Sequence, residues 1–295
     1  MRESGPGMEI ALLTNPTAGK GRGAHHRDIA LARLRDSGFV VRNLQGRDGD
    51  EALDLARECV ADGVEALVVC GGDGMVHLAI QALAETRTAL GVIPSGTGND
   101  VARYLGIPRR DPAAAADVVI RSRTRTIDLA KARSGYFVTV LAAGFDAIVN
   151  ERANQMTWPR GQMRYNLATV AELRTFRPLP YTLELDGVAA HYEAMLVAVG
   201  NGPSFGGGLR ITEGALLDDG MLDVVVITKM SKAKLVRSYP RLFTGKIEGV
   251  QEYVRHRVRT VTVAAPGIVS YADGERFGEL PLTIECVPGA LKVLG

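Results

Sequence analysis

The sequence is poor in several features that would each point to a class of function. Its three cysteines, Cys59, Cys70 and Cys286, are odd in number and far apart, so neither a disulfide framework nor a paired-cysteine metal site can be drawn. A reducing cytoplasm is the expected setting. Charge of either sign is nearly cancelled, with 35 basic against 33 acidic side chains. A net charge of +2 is too mild for a phosphate-backbone reader, so nucleic acid is not expected as a partner. No run approaches the roughly 18 unbroken apolar residues of a membrane span, and Met1 to Ile10 has no apolar signal core. Any lipid would have to be handled from the membrane surface. Zinc-type spacing is absent too. His25 and His26 are adjacent, while His77, His191 and His256 are isolated, and all five read as structural or surface residues. Ser95 and Ser204 lie near glycines but in no GxSxG elbow, so acyl hydrolysis has no support. There is no fixed-period repeat and no low-complexity linker.

What the chain does have is glycine, 34 residues of it, in a composition that is 46% hydrophobic and 23% charged. That is the make-up of an ordinary globular protein. The 295 residues suggest about two domains at roughly 150 residues each. The first half alternates strand and helix patterns: strands over 9–13, 39–44, 66–70 and 90–93, helices over 25–36, 51–61, 76–84 and 101–105. Such repeated units predict a doubly wound parallel sheet covered on both faces. Beyond about Asp128 strands follow one another, over 136–141, 181–185, 193–199, 222–227, 260–264 and 282–286. Asp186-Gly187 and Asp273-Gly274 are hairpin signals. Helical insertions are expected around Tyr165 to Thr175 and Lys232 to Phe243. The reading is therefore an α/β domain over residues 1–130, then an antiparallel β-sandwich over 131–295 whose last residues are free to pack back on the first domain.

Three glycine-rich turns follow three strands of the first half: Asn15-Pro16-Thr17-Ala18-Gly19-Lys20-Gly21, Gly71-Gly72-Asp73-Gly74, and Ser95-Gly96-Thr97-Gly98-Asn99-Asp100. In an open parallel sheet, ligands collect at the carboxyl ends of the strands, where helix N-termini offer free N–H groups to an anion. Glycine lets phosphate oxygens approach those donors. Lys20 could add a point charge, and Asp73 could hold a divalent ion on the phosphates. The blander reading is that the glycines make tight turns and that Asp73, Asn99 or Asp100 cap helices. Three such loops on one edge favour phosphate. They match neither a Walker A loop, since Thr14 stands where glycine is needed and Gly21 where Ser or Thr is needed, nor a full GxGxxG.

Taken together with Ile93-Pro94, Ile127-Asp128, Gly144-Phe145-Asp146, Gly200-Asn201-Gly202, Ala215 to Asp223 and Asp273-Gly274-Glu275, these loops resemble the diacylglycerol kinase catalytic-domain family, which includes bacterial soluble lipid kinases and sphingosine kinases. The resemblance covers nearly the whole chain. It implies ATP in the interdomain cleft, against Asn15, Pro16, Thr17, Ala18, Gly19, Lys20, the stretch Gly71, Gly72, Asp73, Gly74, Met75, Val76, His77, and Thr97. It further implies a catalytic Mg²⁺ network of Asp73, Asp100 and Asp128, and a structural Mg²⁺ held by the Asp219 carboxylate with the carbonyls of Leu216 and Met221. Oxygen-only ligation suits that hard ion. A plain turn at Asp218-Asp219-Gly220 is the competing reading. Glu275 matches the family's general base, although Asp273-Gly274 by itself reads as a hairpin turn with an exposed neighbour. Both readings are compatible, because a turn can aim a carboxylate, and a carboxylate can accept a proton from an attacking alcohol. Met75 occupies a position where relatives usually carry threonine, and Asn43 to Gly46 lacks a threonine that relatives often have near the nucleotide.

The expected activity is thus transfer of the ATP γ-phosphate to the hydroxyl of diacylglycerol or a related lipid, with Glu275 and Asp73 catalytic. A kinase of a soluble substrate such as NAD, and a non-catalytic nucleotide or lipid sensor, are the alternatives. Peripheral contact with the membrane follows from the lipid reading, and a homodimer is compatible with it. Lys229 to Lys246 carries six basic residues and no acidic one beside apolar Leu235, Val236, Leu242 and Phe243. It could rest on anionic lipid heads, but a solvated face is the preferred reading. Met156, Trp158 and Met163 could line a lipid entrance, with ordinary packing preferred.

Overall fold

The computed structural model describes residues 7–14, 22–145, 147–149, 152, 156, 158, 171 and 177–295. The chain divides into two compact units, Met1–Leu129 with Val287–Gly295, and Ala130–Cys286.

In the first unit, β1 (Glu9–Thr14), β2 (Val40–Gln45), β3 (Ala66–Gly71) and β4 (Ala89–Pro94) form a parallel sheet in the order β2-β1-β3-β4. Every residue of β3 and β4 is buried. Such unbroken apolar runs require cover on both faces, which α1 (Arg22–Asp36), α2 (Gly49–Ala61), α3 (Asp73–Leu83), α4 (Asp100–Tyr104) and α5 (Pro112–Ile120) supply. The Asp48 side chain accepts the Glu51 N–H and caps α2, a contact that satisfies one of the orphan donors of a first turn. Helix α5 was not expected from the alanine-rich stretch that forms it. Its signal was present, however: Asp111 accepts the N–H groups of Ala113 and Ala114, both at 3.0 Å, with Pro112 at the first helical position.

The second unit is antiparallel. The long β9 (Val188–Gly200) pairs β8 (Leu179–Leu185) through its first half, and β7 (Val140–Gly144) and β10 (Leu222–Thr228) through its second. Alternation sends Val197, Val199, Val224 and Val226 into one core with Leu183 and with Val261 of β12 (Thr260–Ala264). Met195, Ala198, Val225 and Ile227 enter a second core on the opposite face. Over the latter lies α6 (Lys232–Thr244), through Leu235 and Leu242. The other expected helix, around Tyr165 to Thr175, lies outside the described residues, apart from Ala171.

Strands β5 (Thr124–Ala132) and β11 (Tyr253–Val258) were not expected, and β9 begins at Val188, ahead of the strand expected over 193–199. Two further expected strands differ from those observed. The stretch read as one strand from Tyr136 to Leu141 is two, β6 (Gly135–Phe137) and β7. Between them the N–H groups of Val138 and Thr139 point to the Asp273 carboxylate at 3.0 and 2.8 Å, and a strand whose donors leave the ladder ends there. Conversely, β15 (Leu282–Leu294) runs well past Cys286 despite Pro288 and Gly289. Its start pairs β12, and Val293 pairs Leu90 of β4. Gly289 takes a φ of 65°, and its N–H is held by Asp128 at 2.7 Å.

Candidate active site

Two glycine loops of the first unit, those after β3 and β4, pack against each other. A Cβ on Gly96 would lie 2.5 Å from the Gly72 Cα and 2.9 Å from the Asn99 Oδ1, so no side chain fits where the loops after β3 and β4 meet. Asp73 fastens them: its Oδ2 accepts the Asn99 N–H and its Oδ1 the Asp100 N–H, both at 2.7 Å. Asn99 sits in the left-handed region with φ 52° and ties its own loop, its amide accepting the Gly96 N–H at 3.1 Å and donating to the Gly96 carbonyl at 2.9 Å. Asparagine tolerates that backbone better than most residues. Met75 and Val76 are buried, with the Met75 side chain against Gly71, while His77 is half-buried. The Met75 and Val76 side chains therefore belong to packing, and an anion beside them would meet backbone. Beneath it, burial pushes the Cys70 thiol up to about 11.

An open polar cavity of about 720 Å³ adjoins the second of these loops, lined by Ser95, Gly96, Thr97 and Asn99 and by His26, Arg109 and Arg110. The His26 Nδ1 lies 3.1 Å from the Pro94 carbonyl, which anchors α1 to the end of β4. The cationic wall of Arg109 and Arg110 was not singled out from the sequence; two arginines after a proline gave only a weak signal. Thr97, which the resemblance placed against the nucleotide, lines this cavity. Asn15 to Lys20 lie outside the described residues, as does Asp146.

Asp73, Asp100 and Asp128 do not gather into one cluster. Among the described residues no three His, Cys, Asp or Glu side chains are grouped to hold a metal ion. The reason lies in their partners: Asp73 serves two backbone amides, Asp100 pairs with Arg103, and Asp128 holds Gly289. Magnesium in kinases is usually bound by one or two carboxylates together with substrate phosphates; Asp73, whose donors here are two backbone amides, is an oxygen donor of that kind, whereas Asp100 already faces the Arg103 guanidinium. The turn at Leu216 to Met221 fits an ion less well. Asp219 accepts the Met221 N–H at 3.0 Å, and its other oxygen accepts from Arg257 at 2.5 Å. A guanidinium already neutralises the carboxylate assigned to the cation.

In the second unit, β13 (Val269–Ala272) and β14 (Glu275–Glu279) are joined by Asp273 and Gly274, both at positive φ, 53° and 88°. That is the two-residue hairpin the dipeptide predicts. Asp273 is buried and also accepts the Thr139 hydroxyl at 2.6 Å, so the turn is locked to the corner between β6 and β7. Asn201 reinforces the same corner, donating to the Val138 carbonyl at 2.8 Å. Glu275, the next residue after the turn, is exposed. Asp273 was read from the sequence only as a turn residue; its burial and three donors make it the anchor of Glu275. Elsewhere in this unit, an apolar cavity of about 60 Å³ lies under α6, lined by Phe145, Met195, Phe205, Met230, Leu235 and Leu242 among others.

Comparison with known proteins agrees with the fold. Residues 9–132 match the family model described as diacylglycerol kinase catalytic domain, and residues 139–295 that described as YegS C-terminal NAD kinase beta sandwich-like domain. The chain is 44% identical to a diacylglycerol kinase of Mycobacterium tuberculosis, over 97% of this chain and 94% of that protein. It is 29% identical to a diacylglycerol kinase of Bacillus subtilis, over 92% and 90%. A crystal structure described as a diacylglycerol kinase from Bacillus anthracis superposes with a TM-score of 0.80 at 26% identity, covering 97% of this chain and 96% of that one.

Proposed function

The chain belongs to the diacylglycerol kinase family, and from that premise we propose that it transfers the γ-phosphate of ATP to the hydroxyl of diacylglycerol or a related lipid, giving phosphatidic acid in the first case. The observation that carries this reading is the pair of glycine loops fastened by Asp73 beside a cavity edged by Thr97, Arg109 and Arg110. Backbone amides and fixed cations are what phosphoryl transfer asks of a protein, since its catalysis is mostly positioning and charge neutralisation.

In this reading the nucleotide's phosphates meet the Gly71 to Gly74 and Gly96 to Asn99 backbones, with Asn15 to Lys20 contributing by resemblance. Magnesium, when bound, would neutralise phosphate charge, with Asp73 as its protein donor. Glu275 accepts the proton of the lipid hydroxyl as that oxygen attacks phosphorus; the bond from phosphorus to the bridging oxygen breaks and ADP leaves. The hairpin supports such a role, because three hydrogen bonds to Asp273 fix the turn from which the exposed Glu275 side chain projects. The proposed site of action is the cytoplasmic face of the membrane. No helix among the described residues is long and apolar enough to cross a membrane.

The test is a labelled-ATP assay over diacylglycerol, ceramide, sphingosine and NAD in mixed micelles. Label in a lipid phosphate is expected. Label appearing only in NADP would replace the lipid reading by a soluble-substrate kinase.

A further inference from the structure

We propose that the outward face of α6 is a docking surface for an anionic lipid bilayer. The proposal rests on the lipid-kinase reading for its purpose and names the surface by which the second unit would reach its substrate. Ser231 caps the helix, accepting the Lys234 N–H at 3.2 Å, and Gly245 closes it with φ 70°. A Cβ on Gly245 would fall 2.7 Å from the Glu213 carboxyl group, so the end of the helix is fixed by sterics as well as by backbone conformation.

The helix has two unlike apolar sides. Leu235, Ser238 and Leu242 face inward over the apolar cavity. Val236 and Phe243, each 53% exposed, stand with exposed Pro240 at i, i+4 and i+7 on the side away from it. A single exposed apolar residue needs no explanation, but a ridge of three on one helix face is a patch. Beside the ridge run Arg237 and Arg241, with Lys246 just beyond the helix. None of these three enters an ion pair among the described residues, whereas Lys229 and Lys234 are engaged by Glu193 and Glu252. No acidic residue occurs from Lys229 to Ile247. An apolar ridge edged by uncompensated cations matches the boundary of an anionic bilayer, with Phe243 and Val236 at acyl depth and the cations at phosphate level. A second copy is the poorer occupant. A two-fold contact would set the same face against itself and bring like charges together.

The test is co-sedimentation with vesicles of phosphatidylcholine alone and of phosphatidylcholine with phosphatidylglycerol, in the absence of diacylglycerol and ATP. The wild-type protein should bind the anionic vesicles and release them as salt rises. Arg237→Gln with Arg241→Gln should weaken that binding about 30-fold, at about five- to sixfold per cation near the surface. Val236→Ser with Phe243→Ser should weaken it at least about tenfold. Because all four side chains are exposed, the melting temperature should hold, as should turnover of a dispersed short-chain diacylglycerol. Equal binding of wild type to both vesicles, or wild-type binding by both variants, overturns the proposal. Dissociation of a wild-type dimer by the same substitutions, with vesicle binding intact, assigns the face to a second copy and also overturns it. The lipid-kinase reading fails separately: a protein that docks but phosphorylates no lipid would keep this surface and lose that function.

Discussion

The loop at Gly71 to Gly74 in the first unit and the hairpin at Asp273-Gly274 in the second solve the same problem with the same residue. Each places an aspartate beside glycine, and each aspartate accepts hydrogen bonds from the backbone of a distant loop: Asp73 from Asn99 and Asp100, Asp273 from Val138 and Thr139. They differ in what is left over. Asp73 is both fastener and proposed metal donor, whereas Asp273 only fastens and leaves the chemistry to its exposed neighbour Glu275. A carboxylate in a motif can therefore be read as reactive or structural only once its donors are counted.

The largest expected effect separates the two roles in the second unit. Glu275→Gln should lower phosphate transfer about a thousandfold with nucleotide binding and melting temperature nearly unchanged; turnover within tenfold of wild type would remove Glu275 from the proton-accepting role. Next come the fasteners. Asp273→Ala strips three donors of a charged acceptor and should cost about 4 kcal/mol, and Asp73→Ala, with two, about 3 kcal/mol, both read by denaturant unfolding. Equal or reversed costs would break the comparison between the two turns.

Gly96→Ala should cost about 2 kcal/mol and weaken nucleotide binding, because the added carbon meets the Gly72 backbone. Unchanged binding would show that the close approach of the loops is not needed for the phosphate. The floor of the same loop gives a pH signature. Burial raises the folded-state pKa of Cys70 from 9.0 to about 11, so its contribution is complete below pH 9 and is lost as pH rises through 11. About 2 kcal/mol should be gone by pH 11, and Cys70→Ala should flatten that part of the profile. The smallest effect concerns the third acidic turn. Asp219→Ala removes a pair with a half-exposed arginine and should cost no more than about 1 kcal/mol, equally with magnesium or with chelator. A cost that appears only in magnesium would restore a structural ion there.

Much of the architecture was legible because local pattern and tertiary need coincide. The apolar runs ending at Gly71 and Pro94 could only be covered parallel strands, and Asp273-Gly274 could only be a tight hairpin. Legibility failed where a distant partner intervened. Val138 and Thr139 look like strand interior until Asp273 takes their amides. Pro288 and Gly289 look like a strand end until Asp128 holds the turned backbone. Arg257 gives no local hint that it reaches Asp219, 38 residues away in sequence.

By itself, then, the sequence determined the strand–helix alternation of the first unit and the run of strands in the second, the positions of the glycine loops after strands, and the family resemblance, because these depend on periodicity and on residues whose backbone freedom is intrinsic. Tertiary structure decided which carboxylates are occupied and which remain available. That choice belongs to donors brought together across 26 residues for Asp73, 135 for Asp273 and 161 for Asp128, and no local pattern records a hydrogen bond made at such separation.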